Sequence, residues 1–474
     1  MFNLKKINDY QYEVEKTGKM KVPGMVFSNS ALLSKFTDDE PINQIRNVAS
    51  LPGIVGNALA MPDIHLGYGF PIGGVAAFDY DNGIVSPGGV GYDINCGVTL
   101  LRTSIPYDSA RNKIKELINE IYKQVPVGID NKSAFQINGN DESEITASGL
   151  KWARDRGYAT ENDICMTEEN GSLYTDNSQI SEKAMKRGKN ELGTLGAGNH
   201  FLEIEKVEHI YNAEIAQYFE INNQDEIAIM IHTGSRGLGH QVATDYVAKL
   251  HEVGNVAVSD DPQLNSAYIN SRLGESYINA MNAAANFGFV NRQIIVYKIR
   301  KAFEKVLGQD FEALGMNIVY SLAHNIAKVE EHEVDGRKMK LMVHRKGATR
   351  ALPPNTMKGH FEKTGHPVIV PGSMGTASYV LVGNPENAHT TFSSSCHGAG
   401  RLFSRRRSNE YFSVDGVMNN MNNQGIYLKA ATNKAVTEES SGSYKDIGMV
   451  INVIQGAHIA DPVARLLPLG VMKG

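Results

Sequence analysis

Cysteine is scarce in this sequence: Cys96, Cys165 and Cys396 are the only three among 474 residues. So small and odd a number excludes a disulfide framework in a chain of this length. It fits a reducing, cytoplasmic setting in which a thiol is free to bind metal. Long apolar runs are missing as well. No stretch approaches the roughly 20 apolar residues of a membrane span, and residues 1–16 mix lysines, acids and polar side chains where a leader would be apolar. No membrane association is expected. Nor is there an excess of positive charge: 47 Lys and Arg stand against 52 Asp and Glu, a formal net charge of −5. Bulk electrostatics therefore announce no polyanionic partner, and nucleic-acid binding would require a local basic patch.

Several familiar signatures are also absent. There is no Walker-type phosphate loop, no dinucleotide fingerprint after a strand and no Gly-x-Ser-x-Gly nucleophile elbow. The standard nucleotide folds, dehydrogenases and serine hydrolases are set aside on that ground. Internal repeats and low-complexity tracts are lacking. With 42% hydrophobic and 21% charged residues, the chain has material for a substantial core and no bias toward disorder. Its length allows about three ordinary domains or one large catalytic body, so the positions of the motifs must decide.

What the sequence does have is glycine in clusters, at 67–74, 83–97, 193–198 and 234–239, each beside a His, Asp or Cys. Glycine lets backbone approach a ligand closely, so these read as shaped loops rather than linkers. Between them, Ile114, Leu117, Ile118, Ile121 and Tyr122 keep helical spacing and predict a helix over 109–124. A second helix is predicted over 275–307, with Gly288 as a point of interruption. Apolar runs at 227–231, 318–322, 368–370 and 449–454 read as buried strands. His232 and His324 directly follow two of these runs, where binding sites commonly open. The polar segments 138–148 and 167–189 lack periodicity and are expected to be mobile surface insertions.

Asp93 and Cys96 place a carboxylate and a thiol three residues apart in a glycine-flanked loop. With His200, His232 and His324 they make a mixed oxygen, sulfur and nitrogen donor set suited to zinc, manganese, iron or cobalt. Five donors suffice for two metals if the thiolate bridges. Spread over some 230 residues, they match no compact structural-zinc pattern. His397 lies among small residues, Gly398, Ala399 and Gly400, which leave room for a bulky group on its ring. Arg401 and the run 405–407 can hold phosphates, although such a run also reads as a solvated surface. Lys346 and Arg350 form a second basic cluster. The segment 371–378 offers hydroxyls and amides for cradling a phosphate.

In their order these motifs resemble the RtcB family of RNA-splicing ligases. The resemblance is carried by Met61-Pro62-Asp63-Ile64-His65, the segment 86–97, Gly196-Ala197-Gly198-Asn199-His200, His232-Thr233-Gly234-Ser235-Arg236, His397-Gly398-Ala399-Gly400-Arg401 and Lys473-Gly474, and it runs from about Asn47 to the last residue. It implies a large α+β fold with mixed β-sheets surrounded by helices, one catalytic domain over 1–474. Two manganese ions are implied, with Cys96 bridging, His232 and His324 completing one site, and Asp93 with His200 the other. His397 would be the nucleophile that takes GMP from GTP. The guanylate would be held by Asn199, Glu203, Ser373, Ser378, Gly398, Ala399, Gly400, Tyr444 and Lys473. Arg236, Lys346, Arg401 and Arg405 would face RNA phosphates. The implied substrates are an RNA 3′-phosphate or 2′,3′-cyclic phosphate and an RNA 5′-hydroxyl, in tRNA splicing or RNA repair, with an archease-type activator as a partner the family suggests. Cys396 carries no inherited role. The alternatives are a two-metal phosphodiesterase or phosphatase, and a non-catalytic RNA-end-binding protein; His397 and Lys473 speak against both.

Overall fold

The computed structural model describes residues 4–36, 39–128, 135, 137, 140–253 and 261–474, and two large sheets organise them. The first has seven strands in the order Lys5–Lys6, Gln11–Val14, Gly24–Phe27, Ile54–His65, Ile72–Asp79, Arg337–Lys346 and Asn325–Val334. It is antiparallel except where Gly24–Phe27 runs alongside Ile54–His65. The second runs Asn317–Ala323, Gly97–Pro106, Glu226–Thr233, Phe201–Ile210, Ala460–Lys473, Ser378–Gly383 and Pro367–Val370, with Tyr427–Ala430 added in parallel beside Ala460–Lys473. Its two edges curl toward each other, and the Tyr320 ring stacks on His366 at 5.1 Å across the gap. Mixed sheets with surrounding helices are the expected α+β class.

The main core lies between the second sheet and two helices. Leu101, Ile229 and Ile231 meet Leu117, Ile118 and Ile121 of Ile114–Gln124, and Ile295, Ile299 and Phe303 of Arg272–Leu307. Each such side chain contributes about 1.5–3 kcal/mol by leaving water. The helix expected over 109–124 is divided, with Tyr107–Ala110 as a separate first turn. The long helix starts at the Ser271 cap, ends at the left-handed Gly308 and runs straight through Gly288. A Cβ on Gly288 would lie 3.1 Å from that of Asn95, so the missing side chain admits the loop that carries Cys96.

Three of the four expected strands form where their apolar runs lie. The fourth, 449–454, is a helix instead, Ile447–Gly456. Asp446 caps it by accepting from the Met449 N–H, and Val450, Ile451, Val453 and Ile454 are buried against the first sheet's side of the molecule. Gly448, Asn452 and Gln455 form its exposed stripe, but the run 449–454 spans less than two turns and contains only one of the three, which hid the helical period.

The polar segments 138–148 and 167–189 are packed parts of the fold rather than mobile insertions; residues 138 and 139 fall outside the described ones. Asp141–Ser148 is a helix that buries Ile145 and Thr146, and Asn286 of the long helix donates to the Thr146 carbonyl at 2.9 Å. Glu168 is buried. It accepts from Lys328 Nζ at 2.7 Å and from the Ala323 N–H at 2.8 Å, and Arg350 lies 3.2 Å away. Glu169 meets Arg350 at 2.8 Å, and Glu330 takes a two-pronged contact from Arg345 at 2.6 and 2.8 Å. Burial alone would raise the Glu168 carboxyl, but Lys328 and Arg350 hold it down to about 2. These partners lie far away in sequence, beyond the reach of local pattern.

The register of the second sheet assembles the site. Gly97 pairs with Ala323 on one side and Thr233 on the other, while Phe201 pairs with His232. Because these neighbours are antiparallel, the start of one strand lies beside the end of the next. Cys96, His200, His232 and His324 therefore meet at one end of the sheet. Gly97 permits the closest approach: a Cβ there would sit 1.9 Å from the Leu322 carbonyl oxygen.

Candidate active site

Cys96 Sγ lies 3.4 Å from the Nε2 atoms of both His200 and His232. His232 Nε2 is 3.2 Å from His324 Nε2, and His200 Nε2 is 2.9 Å from Asp93 Oδ2. Two overlapping groups result, Cys96 with His232 and His324, and Asp93 with Cys96 and His200, each with its donor atoms within 4.8 Å of one another. The thiol belongs to both. Burial holds the His232 and His324 imidazoles well below their usual range, so both are neutral, the form that binds metal. Burial and the Asp93 charge push the Cys96 thiol up. Asp93 Oδ1 is buried without a partner. Sulfur, nitrogen and oxygen donors crowded together with an orphaned carboxylate oxygen fit transition-metal ions.

A guanidinium backs this cluster. Arg292, 1% exposed, donates to the carbonyls of Asn95 at 2.7 Å and Thr233 at 3.1 Å, and to Asn95 Oδ1 at 3.0 Å. Each of those carbonyls adjoins a donor residue, Cys96 or His232. Asn95 itself adopts a left-handed φ of 55°, which asparagine tolerates better than most residues.

The His397 ring packs edge-on against His324, with centroids 4.8 Å apart. Its Nδ1 is 2.6 Å from Asp63 Oδ2, which also accepts from the His397 N–H at 3.0 Å. That contact fixes the ring and commits Nδ1 to the carboxylate, leaving Nε2 as the available nitrogen. Gly400, at φ 74°, closes the loop over Asp63, whose carbonyl oxygen would be 2.1 Å from any Cβ there. Behind Asp63, Lys445 Nζ donates to the carbonyls of Pro62 at 2.9 Å and Ile64 at 2.6 Å; burial brings this ammonium down to about 7.

His397 opens into a cavity of about 560 Å³ whose wall includes Asn199, Ser373, Gly398, Ala399, Gly400, Arg401, Arg405, Tyr444 and Lys473. This is a volume suited to a nucleotide-sized ligand. Glu439 organises its cationic side: it meets Arg401 at 3.2 Å, Arg405 at 3.3 Å and Lys473 at 3.8 Å, and accepts a short bond from the Tyr444 hydroxyl. Burial opposes its charge, but Lys473 and Arg401 hold the carboxyl down to about 2.

The remaining expected residues stand back from that wall. Glu203 is buried beside Glu205, and burial together with the Glu205 charge pushes its carboxyl up. Ser378 is fully buried and accepts from the Gly372 N–H at 3.3 Å. Lys346 is buried too, donating to the carbonyls of Tyr68 at 2.7 Å and Phe70 at 2.9 Å. Arg236 donates to Thr194 Oγ1 at 3.1 Å and pairs with Glu191 at 3.5 Å. Of the four expected phosphate-facing cations, Arg405 is the most open, its side chain 52% exposed. Cys396 is buried in the core on the strand Ser394–Cys396.

Sequence reasoning gave no role to Asp63, Glu439 or Arg292. Asp63 stood inside a quoted motif, two residues before a histidine, and that was its only signal. Glu439 sits in a polar stretch that reads as surface.

Compared with known proteins, residues 44–474 match the family model described as tRNA-splicing ligase RtcB. A tRNA-splicing ligase RtcB from Thermococcus kodakarensis is 47% identical over 482 aligned residues, covering 100% of this chain and 99% of that protein. Proteins of the same description from Nanoarchaeum equitans and Archaeoglobus fulgidus are 46% and 45% identical, each with 99% of both chains covered.

Proposed function

The chain belongs to the RtcB family of tRNA-splicing ligases and is an RNA ligase, and from that premise we propose that it seals RNA through a guanylate carried on His397. The observation that carries this reading is the His397 Nδ1 contact to Asp63 at 2.6 Å, in a ring that faces a cavity lined by Arg401 and Lys473. With its Nδ1 held by the carboxylate, His397 presents Nε2 to the α-phosphorus of GTP. An N–P bond forms, the bond to pyrophosphate breaks, and Asp63 stabilises the positive charge that the ring acquires. An oxygen of the RNA 3′-phosphate then takes the guanylyl group and frees His397. A 2′,3′-cyclic phosphate must first be opened by water. Finally the 5′-hydroxyl attacks the activated 3′-phosphate and GMP departs.

Asp93, Cys96, His200, His232 and His324 would hold the metal, two manganese ions in our reading, with Cys96 common to both. Metal bound there would stabilise charge building on the phosphoryl oxygens. Lys473 and Tyr444 line the cavity and are proposed to hold the guanylate with Asn199 and Ser373, while Arg401 on the same wall is proposed to face RNA phosphate. Glu203 and Ser378 would join them only after a shift of the wall. Arg405, the open cation, is proposed to meet RNA phosphate first. All segments that supply these residues, from Asp63 to Lys473, act together, and we propose that residues 1–474 work as one domain. A cytoplasmic setting suits the three unbridged cysteines, and among the described residues no helix is long and apolar enough to cross a membrane.

The test is covalent labelling with radioactive GTP and manganese. The wild-type protein should retain label that mass spectrometry maps to His397, and His397→Ala should retain none yet still join an RNA whose 3′ end is already guanylated. A guanylate found on Lys473, or label retained by His397→Ala, would overturn the assignment.

A further inference from the structure

The chain leaving His397 turns through Arg401 and Phe403 into the short helix Arg405–Tyr411. Phe403 and Arg407 lie on the rim of the same cavity as His397. The Arg407 guanidinium lies across two rings at once, its carbon 4.4 Å from the Phe403 centroid and 5.4 Å from that of Tyr411. Those rings are 5.3 Å apart and tilted by only 35°. Tyr411 is 65% exposed, the more conspicuous because few large apolar side chains here are so open.

Of the four arginines on this stretch of chain, three are bound to acids. Arg401 and Arg405 share Glu439, and Arg406 is bound to Glu410 at 3.1 Å. Among the described residues, the Arg407 guanidinium has no acidic partner and no hydrogen bond. An exposed cation set over two aromatic rings, with its donors uncommitted, is the combination that unpaired nucleotides bind: rings and guanidinium stack on bases, and the free N–H groups take phosphate. A folded protein partner has less claim on the surface, because the platform is small and continuous with the mouth of a cavity edged by arginines.

We propose that Phe403, Arg407 and Tyr411 form a stacking platform for the unpaired nucleotides of the RNA strand that ends in the 3′-phosphate. This assignment rests on the ligase reading above. The 3′-phosphate is the end that must reach the phosphorus on His397, and the platform continues the same stretch of chain outward from that histidine. A strand entering with its terminal phosphate toward His397 would lay its preceding bases over Arg407 and Tyr411.

The test is the affinity of the full-length protein for a single-stranded RNA of about ten nucleotides with a 5′-fluorophore and a 3′-phosphate, followed by anisotropy at fixed salt. Tyr411→Ala should weaken binding about 5- to 100-fold, and Tyr411→Trp should restore it, because stacking on a base needs a ring and no hydroxyl. Arg407→Lys, which keeps the charge but loses the flat surface, should also bind more weakly. Tyr411→Ala should take label from GTP as the wild type does, since Tyr411 lies outside the cavity wall. Unchanged RNA affinity in Tyr411→Ala, an equal loss in Tyr411→Trp, or an equal loss for a strand with a 5′-hydroxyl and no 3′-phosphate would each overturn the proposal. Failure of the wild-type protein to take label would instead count against the ligase reading and leave the RNA comparison legible.

Discussion

Two buried clusters of ionisable side chains meet at the peptide between Ala323 and His324. On one side, Glu168, Glu169 and Glu330 face Lys328, Arg345 and Arg350, three acids against three bases at contact distances of 2.6 to 3.8 Å. Glu168 also receives the Ala323 N–H, so the network grips the strand one residue before the donor histidine. On the other side, Asp93, Cys96, His200, His232 and His324 crowd together with an Asp93 oxygen left unpaired. Both are buried, and burial penalises charge in both. The first balances acids against bases within the protein, with Arg350 Nε alone of its buried charged atoms lacking a hydrogen bond; the second gathers thiol, imidazole and carboxylate donors with Asp93 Oδ1 unpaired and, among the described residues, no lysine or arginine paired with them. Residue type alone does not mark a site, whereas leftover valence at a buried cluster does.

The largest effect that would sharpen this contrast is Cys96→Ala. Since the thiol belongs to both donor groups, the variant should neither bind manganese tightly in calorimetry nor ligate RNA. In chelator its unfolding free energy should stay within about 1 kcal/mol of wild type. Ligation at wild-type rate would break the shared-donor assignment.

Glu168→Gln should do the reverse. Removing one carboxylate leaves Lys328 and Arg350 to share Glu169 and Glu330, two acids against three buried bases, a loss of about 3 kcal/mol in denaturant unfolding. Acid gives a second readout. A carboxyl held at about 2 when folded, against an ordinary value of 4.5, supplies stability that is present above about pH 4.5 and lost as pH falls toward 2. The variant should therefore show a flatter acid limb over that window, and a limb as steep as wild type would mean that other carboxylates govern it.

Smallest of all should be Cys396→Ala. This thiol is buried in apolar surroundings and outside both donor groups. A stability cost of about 1 kcal/mol with GTP labelling intact is expected. Lost labelling would show that the residue beside His397 does more than pack.

Much of the candidate site was legible because its parts carry local marks: glycine-flanked loops and histidines where apolar strands end. Cys96, His200, His232 and His324 lie at strand boundaries, and boundaries are what alternating apolar patterns reveal. The relations between segments were not legible. Asp63 acts on a histidine 334 positions away, and no periodicity reaches that far. The segment 167–189 looked like loose surface because its acids find their bases beyond position 300. Helix Ile447–Gly456 was missed because the apolar run 449–454 is too short to show its exposed stripe of Gly448, Asn452 and Gln455. Arg292 sits within a helix whose composition gives no hint that its guanidinium reaches two carbonyls of other segments.

The gathering of donors at one end of an antiparallel sheet also bears on how the protein matures. A slip of one residue between Glu226–Thr233 and either neighbour would turn His232 to the opposite face of the sheet. A fragment ending before His324 lacks one whole donor group, because Cys96, His232 and His324 come together only when strands distant in sequence are in register. Such long-range pairing is slow to form. Metal bound at that cluster would thus be captured late and would discriminate between finished and misaligned molecules, each ion drawing the population toward the correctly registered sheet by mass action.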